Sequence, residues 1–151
     1  MKANELFPGA LVRVNHDGLC IKKGTIVEVR AVDADDKLIE KGLIGSAHCR
    51  PLDDNQFEGG IWCEYLDPIP LTTDMLLTNG FERQEMGGDR VAIWTGFGQD
   101  NCHDIEVEFD GDKPIHLKID GPVYLVTPNI KYLHQLQHFL RDCETGKEIE
   151  L

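Results

Sequence analysis

The sequence predicts an α+β protein in which short β-strands dominate and two helices lie in the second half. Short runs of alternating apolar and polar residues recur between turn residues through most of the chain. Pro68 and Pro70 interrupt this pattern, and a segment near the C-terminus has the 3.6-residue period of a helix. With 151 residues, of which 41% are apolar, the chain is long enough for one sizeable core or two small ones.

The first half has the pattern of short strands separated by turns. Turn residues such as His16-Asp17-Gly18 and Lys22-Lys23-Gly24 divide apolar or alternating runs, as in hairpins. The five runs that predict strands are 11–14, 19–21, 25–32, 43–52 and 61–66. Strands of this length and spacing predict a small SH3-like β-barrel over residues 1–68.

Residues 69–151 predict an α+β unit. Thr72 or Thr73 is expected to cap a short helix that carries Met75, and Asn79-Gly80 is expected to end it. Five strand candidates follow, at 81–86, 91–95, 105–109, 115–119 and 123–126. Because most of their connections are short and rich in Gly and Asp, neighbouring strands are expected to pair in an antiparallel sheet.

The segment from 129 to 151 has the clearest pattern in the chain. At about 100° per residue, its apolar and polar side chains fall on opposite arcs of a helix. The apolar arc is Tyr132, Leu133, Leu136, Phe139, Leu140 and Cys143, and the polar arc is Lys131, His134, Gln135, His138, Arg141 and Asp142. Asn129 is expected to cap this helix and Gly146 to end it. We expect the apolar arc to cover one face of the second sheet.

The net charge of −12 limits the kinds of partner. Residues 1–70 carry 8 basic and 12 acidic groups and residues 71–151 carry 7 and 15, so the two parts have charges of −4 and −8. Such a surface repels phosphate backbones, which disfavours direct nucleic-acid binding, and it attracts a basic protein or peptide. The same charge also serves a protein that needs only to stay soluble.

The cysteines and the apolar runs predict a cytoplasmic protein. The five cysteines are odd in number and widely spaced, which is typical of reduced thiols rather than of a disulfide framework. No apolar run reaches the roughly 18 residues that span a bilayer, and residues 1–10 have no apolar signal-peptide core. We therefore expect no membrane association, no cofactor and no metal requirement for folding.

Two groups of residues are candidates for metal or catalytic chemistry. His134 and His138 have the i, i+4 spacing that lets two imidazoles share a metal, but Gln135 stands where a metalloprotease motif has glutamate. His48-Cys49 and Cys102-His103 complete a site only if the fold brings them together. A metal-binding protein or a hydrolase that uses these His and Cys residues is therefore an alternative function.

Two other groups are candidates for partner binding. Trp62 and Tyr65 are aromatic residues of the kind that line peptide grooves, although their odd separation prevents them from sharing one face of a regular strand. Glu106, Glu108 and Asp110 lie in an alternating acidic row, 104–112, whose period of two places the carboxylates on one sheet face. Such a row is suited to a basic peptide or a divalent cation, and equally to a solvated surface.

The second half resembles a known family. The carrying motifs are Ile69-Pro70-Leu71-Thr72, Leu76-Leu77, Gly80-Phe81-Glu82, the run from Ile130 to Gln137 (IKYLHQLQ), and Thr145-Gly146-Lys147-Glu148. They are similar to a group of small uncharacterised proteins encoded in Bacteroides-type genomes and their phages, which read IPLT, LL, GFE, IKYVHQLQN and TGKEL. The resemblance implies a short barrel before this half and a bacterial or mobile-element setting. It assigns no catalytic residue, and His138 replaces an expected amide.

The function that these observations favour is a noncatalytic protein-interaction module of a bacterium or its phage. The barrel, the acidic surface and the lack of a full catalytic constellation support it. A further alternative is an acidic nucleic-acid mimic, whose carboxylates imitate phosphates and capture a basic host protein. A contiguous aromatic or apolar patch beside the acidic row favours the interaction module.

Overall fold

The protein is described by a computed structural model that covers residues 1–33, 45–53, 58–97, 103–120, 125–128, 130–143, 145–146 and 148–151. The chain divides into two compact units, Met1–Ile69 and Pro70–Leu151. Each unit contains one five-stranded antiparallel sheet. Since the second unit also has two helices, the predicted α+β class is confirmed.

The first unit is built from five short strands and two 3-10 turns. The strands are β1 (Leu11–Val14), β2 (Ile26–Asp33), β3 (Ser46–Pro51), β4 (Gly59–Trp62) and β5 (Leu66–Pro68). The turns are Ala3–Glu5 and Cys63–Tyr65. The strand order is β4-β3-β2-β1-β5, and no closed barrel is found among the residues that the structure describes.

Alternation of side chains explains the core of the first unit. In β1 and β2, Val12, Val14, Val27 and Val29 are buried at 0 to 1% exposure, while Arg13 between the first two is exposed. Successive side chains of a strand point to opposite faces, so one face of each strand is apolar and buried. Ala47 and Cys49 from β3, and Cys63 and Leu66 from the chain around β5, also belong to this cluster.

The predicted strand at 19–21 is wrong. Leu19 is fully exposed, whereas Ile21 is buried. The Gly18 amide donates to the carbonyl of Ile21 at 2.8 Å, and the Lys23 amide donates to Asp17 Oδ1 at 2.8 Å. These bonds close a compact turn, so the backbone groups of this segment are used locally rather than in a sheet.

The second unit contains a meander of five strands between two helices. Its helices are α1 (Thr73–Thr78) and α2 (Leu133–Asp142), and its strands are β6 (Glu82–Gly87), β7 (Arg90–Phe97), β8 (His103–Asp110), β9 (Lys113–Asp120) and β10 (Leu125–Pro128). Their order is β10-β9-β8-β7-β6, so each strand pairs with its neighbour in the sequence. The expectation of an antiparallel sheet is confirmed.

One face of this sheet, which we call the inner face, is apolar and buried. Its side chains with at most 5% exposure are Val91, Ile93, Ile105, Val107, Phe109, Leu117 and Ile119. On α2, Leu133, Leu136 and Leu140 are also buried, at 0 to 2% exposure. Both apolar surfaces belong to the same unit, where each needs an apolar partner.

The ends of α1 are as predicted. Thr72 Oγ1 accepts a hydrogen bond of 3.2 Å from the amide of Met75, which satisfies one of the free donors of the first turn. Asn79 follows the last helical residue, and Gly80 has a φ of +78°. Glycine tolerates this left-handed conformation without steric cost, so Asn79-Gly80 ends the helix.

The N-terminus of α2 is formed differently from the prediction. The helix begins at Leu133, and the predicted cap Asn129 lies outside the described residues. Gln135 Oε1 instead accepts the amides of Lys131 at 2.9 Å and Tyr132 at 3.2 Å. The helix ends at Asp142, before Gly146, whose φ is +68°. Gln135 therefore has a capping role rather than a place in a metal motif.

Asn79 also holds the last residues of the chain. Its Nδ2 donates to the carbonyl of Glu150 at 2.8 Å, and its Oδ1 accepts the amide of Glu150 at 2.7 Å. The Asn79 side chain thus donates to and accepts from the backbone of one residue, as a paired strand does. The adjacent Ile149 is buried at 4% exposure. The end of α1 thus fixes the C-terminal segment.

Candidate functional site

The face of the second sheet opposite the inner face carries most of its polar groups, and we call it the outer face. Strand register brings one residue from each strand into a row: Glu82, Trp94, Glu106, Lys118 and Val126. Side chains that are directly opposite on neighbouring strands lie about 5 Å apart, so Trp94 is flanked by carboxylates on both sides. The sheet thus places an indole inside an acidic surface.

A depression with a volume of about 210 Å³ lies on the outer face. It is lined by Gln84, Trp94, Asp104, Glu106, Lys118 and Asp120. Four strands contribute to this lining, from β6 to β9, so its shape depends on how these four strands pair. Three carboxylates against one ammonium give the lining a net charge of −2.

Like charges face each other at one end of the depression. Asp104 of β8 is directly opposite Asp120 of β9, and both side chains are exposed. Carboxylates in this position repel each other and favour the approach of a cation. The ammonium of Lys118, the cation of the lining, is paired with Glu106 rather than with these aspartates, since its Nζ lies 3.9 Å from Glu106 Oε2. The electrostatic character of this end is therefore anionic.

Glu108 has a different environment from the rest of the acidic row. It is only 6% exposed, with Oε2 2.6 Å from Nε2 of His116 and Oε1 3.3 Å from Nη1 of Arg90. Its neighbour Ala92 on the outer face is also buried. The prediction that Glu108 is available to a partner requires correction, because its carboxylate is enclosed. Its Oε2 is bonded to His116, whereas the buried Oε1 has an ionic contact with Arg90 but no hydrogen bond among the described residues.

The other residues predicted for partner binding occupy separate places. Glu106 is half-buried in the depression, and Asp110 is exposed between Arg90 and Lys113 in the strand register. In the first unit Trp62 is 55% exposed on β4. Tyr65 is half-buried, lies in a 3-10 turn, stacks on His16 at 4.7 Å between ring centroids, and packs against the core.

The two histidines of α2 also have different surroundings. His134 is buried at 5% exposure and stacks on Tyr132, although the sequence places it on the polar arc. His138 is exposed, with Nδ1 2.7 Å from Oδ2 of Asp142. Among the described residues no group of three or more His, Cys, Asp or Glu side chains is arranged to hold a metal ion. Cys102 lies outside these residues.

Two of the three described cysteines of the first unit, Cys49 and Cys63, belong to its core. Cys49 and Cys63 are fully buried, Cys20 is exposed, and all three are free thiols. Burial raises the pKa of Cys49 from its ordinary value of 9.0 to about 12, and the neighbouring Cys63 adds to this effect. Burial also raises the pKa of Cys63. Because the thiolate is the reactive form, neither residue is suited to nucleophilic catalysis.

Stability should therefore fall at alkaline pH. Since the Cys49 thiol has a pKa of 9.0 in the unfolded chain and about 12 in the folded protein, its contribution is complete below pH 9 and is lost as the pH rises toward 12. Urea unfolding between pH 8 and pH 11 measures this loss, and Cys49→Ala should flatten the decline. An equally steep decline in Cys49→Ala contradicts the assignment.

Sequence reasoning missed the combination of Trp94, Lys118 and Asp120 with the acidic row. Alternation shows that Glu106 and Glu108 share a face, but not which residues of β7 and β9 lie beside them. That information is in the strand register, which the loops and the bulge between Glu108 and Phe109 set. A signal was present in the even spacing of Lys118 and Asp120, which puts them on one face of β9.

No family model, curated protein or solved structure matches this chain. No helix within the described part of the chain is long and apolar enough to cross a membrane. The functional assignment therefore depends on the physical character of the outer face.

Proposed function

We propose that the protein is a noncatalytic interaction module that binds a basic protein partner on the outer face of its second sheet. The single observation that supports this most strongly is the position of Trp94 in the strand register, between Glu82 and Glu106 and beside the Asp104–Asp120 end of the depression. An aromatic side chain inside the acidic surface provides contact area that a purely solvated charged face lacks.

Charge complementarity supports a basic partner. Residues 71–151 carry 7 basic and 15 acidic groups, and the lining of the depression has three carboxylates. Cationic side chains are attracted to such a face over about a Debye length, and they are further stabilised on the face of an indole. The acidic face therefore attracts a basic peptide electrostatically, and the indole of Trp94 provides a direct contact for one of its cationic side chains.

The alternative functions have less support. For the metal-binding or hydrolase alternative, the described residues contain no cluster of three possible metal ligands. The thiol of Cys49 is also buried, with a raised pKa. An acidic nucleic-acid mimic needs rows of carboxylates but no aromatic anchor, so Trp94 favours peptide recognition over mimicry.

The proposal also includes a bacterial or phage origin, a cytoplasmic location and an SH3-like first unit. The resemblance of the second half to proteins of Bacteroides-type genomes and their phages supports a bacterial or phage protein, and the scattered cysteines support a cytoplasmic one. The strand order β4-β3-β2-β1-β5, in which the last strand pairs with the first, and the 3-10 turn just before β5 support an SH3-like module in the first unit. Such modules commonly bind peptides, which agrees with an interaction protein.

A defined peptide tests the proposed function. The probe is a short synthetic peptide in which arginine and lysine alternate with serine and glycine, and the control peptide has glutamate at the basic positions. We expect the basic peptide to shift the backbone amide signals of β7, β8 and β9 in ¹⁵N-correlated NMR spectra at low salt, and the acidic peptide to shift none. The affinity should decrease as salt increases.

A matched pair of variants separates the outer face from general electrostatics. Asp104→Asn with Glu106→Gln and Asp120→Asn removes three carboxylates from the depression, whereas Glu58→Gln with Glu64→Gln and Glu148→Gln removes three exposed carboxylates elsewhere. The first variant should bind the peptide about tenfold more weakly, and the second should change affinity by less than about threefold. Equal losses, or shifts confined to the first unit, contradict the proposal.

A further inference from the structure

The depression on the outer face has the size of a site for one side chain. Its volume of about 210 Å³ is below the roughly 300 to 1,000 Å³ of pockets that enclose a whole small-molecule ligand. It opens on a sheet surface across which a peptide can lie. The chemistry of its lining therefore selects a residue of the partner rather than a cofactor.

We infer that the depression takes a single arginine side chain of the partner, with the guanidinium plane on Trp94 and its N–H groups donating to Asp104 and Asp120. This inference rests on the proposed function and specifies the residue that anchors the partner. Trp94 forms an aromatic wall, and the two aspartates are directly opposite each other on β8 and β9.

The geometry favours arginine over lysine. A guanidinium is planar, stacks on an indole, and donates to carboxylates through a fork of N–H groups, whereas an ammonium is compact and strongly hydrated. Asp104 and Asp120 are directly opposite each other on neighbouring strands. Two neighbouring carboxylates suit a guanidinium, whose N–H donors lie in one plane and point in different directions. Stacking and paired donation act together only when the cation is flat.

The remaining lining supplies further acceptors. A guanidinium carries five N–H donors, more than two carboxylates readily satisfy. Glu106 on β8 and the side-chain amide of Gln84 on β6 add acceptor oxygens to the lining. Lys118 lies 3.9 Å from Glu106, an ion pair longer than a hydrogen bond, so this carboxylate retains capacity for another donor.

Peptides that differ at one position test the inference. The probes are a short neutral peptide with a single arginine, the same peptide with lysine, and the same peptide with citrulline, which keeps the shape of arginine without its charge. L-Arginine amide tests whether a free guanidinium compound binds as well as an arginine within a peptide. Binding is followed by the indole N–H signal of Trp94, which the Trp62→Phe variant distinguishes from that of Trp62.

We expect the arginine peptide to bind about fivefold more tightly than the lysine peptide, and the citrulline peptide to leave the indole signal unchanged. In variants that lack the Trp94 indole, binding is followed by the backbone amide signals of β7, β8 and β9. Trp94→Leu should reduce the preference for arginine to about one, and Trp94→Phe should retain part of it. Asp120→Asn, at an exposed position, should weaken the arginine peptide about threefold and leave the dispersion of the spectrum intact.

Each failure has a separate meaning. If arginine and lysine peptides bind the outer face equally, the inference is overturned and the proposed function stands. If L-arginine amide binds as tightly as the arginine peptide, a free guanidinium compound replaces the partner's side chain as the occupant, which also overturns it. If even the basic peptide in which arginine and lysine alternate with serine and glycine leaves β7, β8 and β9 unchanged, the proposed function fails as well.

Discussion

Replacing His116 with phenylalanine is expected to lower the free energy of unfolding by about 2 to 4 kcal/mol. His116 Nε2 lies 2.6 Å from Oε2 of Glu108, and Glu108 is only 6% exposed. Phenylalanine keeps the ring that covers the carboxylate but removes the donor. The charge is then buried beside one remaining partner, Arg90, whose side chain is 58% exposed.

The expected cost is asymmetric between the two members of the pair. Glu108→Met removes the carboxylate and leaves His116 and Arg90 without this partner. Both side chains are accessible to water, with exposures of 34% and 58%, so water can solvate them. The substitution also removes the cost of burying a charge. Glu108→Met alone should therefore change stability by less than about 1 kcal/mol, although it deletes the same hydrogen bond.

The double variant provides the control. His116→Phe with Glu108→Met leaves two apolar side chains in contact, so it should regain most of the stability lost in His116→Phe, with a coupling of at least about 1.5 kcal/mol. Urea unfolding followed through the NMR signals of β8 and β9 reports on the unit concerned. Additive effects of the two substitutions refute the picture of a buried, partnered carboxylate.

The sequence was most informative where local chemistry decides the structure. The strand at Leu11–Val14 and the cap at Thr72 depend on residues that are near each other in the chain, and both predictions are confirmed. The turn at 16–18 was also foreseen, but its consequence for Leu19 was not. There the side chain of Asp17 competes with strand pairing, and an apolar run of three residues is too short to override it.

The sequence was least informative where burial depends on the neighbouring strand. The period of two placed Glu108 on the polar face of β8, which is correct, but its burial results from His116 and Arg90 on the strands beside it. His134 is a similar case, since a helical wheel places it on the polar arc and tertiary packing buries it. Both outcomes depend on long-range register, which a period alone does not contain.

Replacing Phe109 with alanine is expected to lower the free energy of unfolding by about 3 to 5 kcal/mol. Phe109 is the largest of the fully buried side chains, at 0% exposure on the inner face of β8. This strand lies between β7 and β9, in the centre of the sheet, so neighbouring strands leave little freedom to collapse into the space. The loss combines transfer of the ring to water on unfolding with the cost of the cavity.

An exposed apolar residue of the same sheet is the control for this prediction. Met86, on the edge strand β6, is 51% exposed, so Met86→Ala should change stability by less than about 0.5 kcal/mol. Thermal and urea unfolding of both variants measure the difference. A loss below about 1 kcal/mol for Phe109→Ala is incompatible with a packed inner face. The strand register that places Trp94 beside Glu106 would then need revision too, because both faces of β8 depend on one pairing.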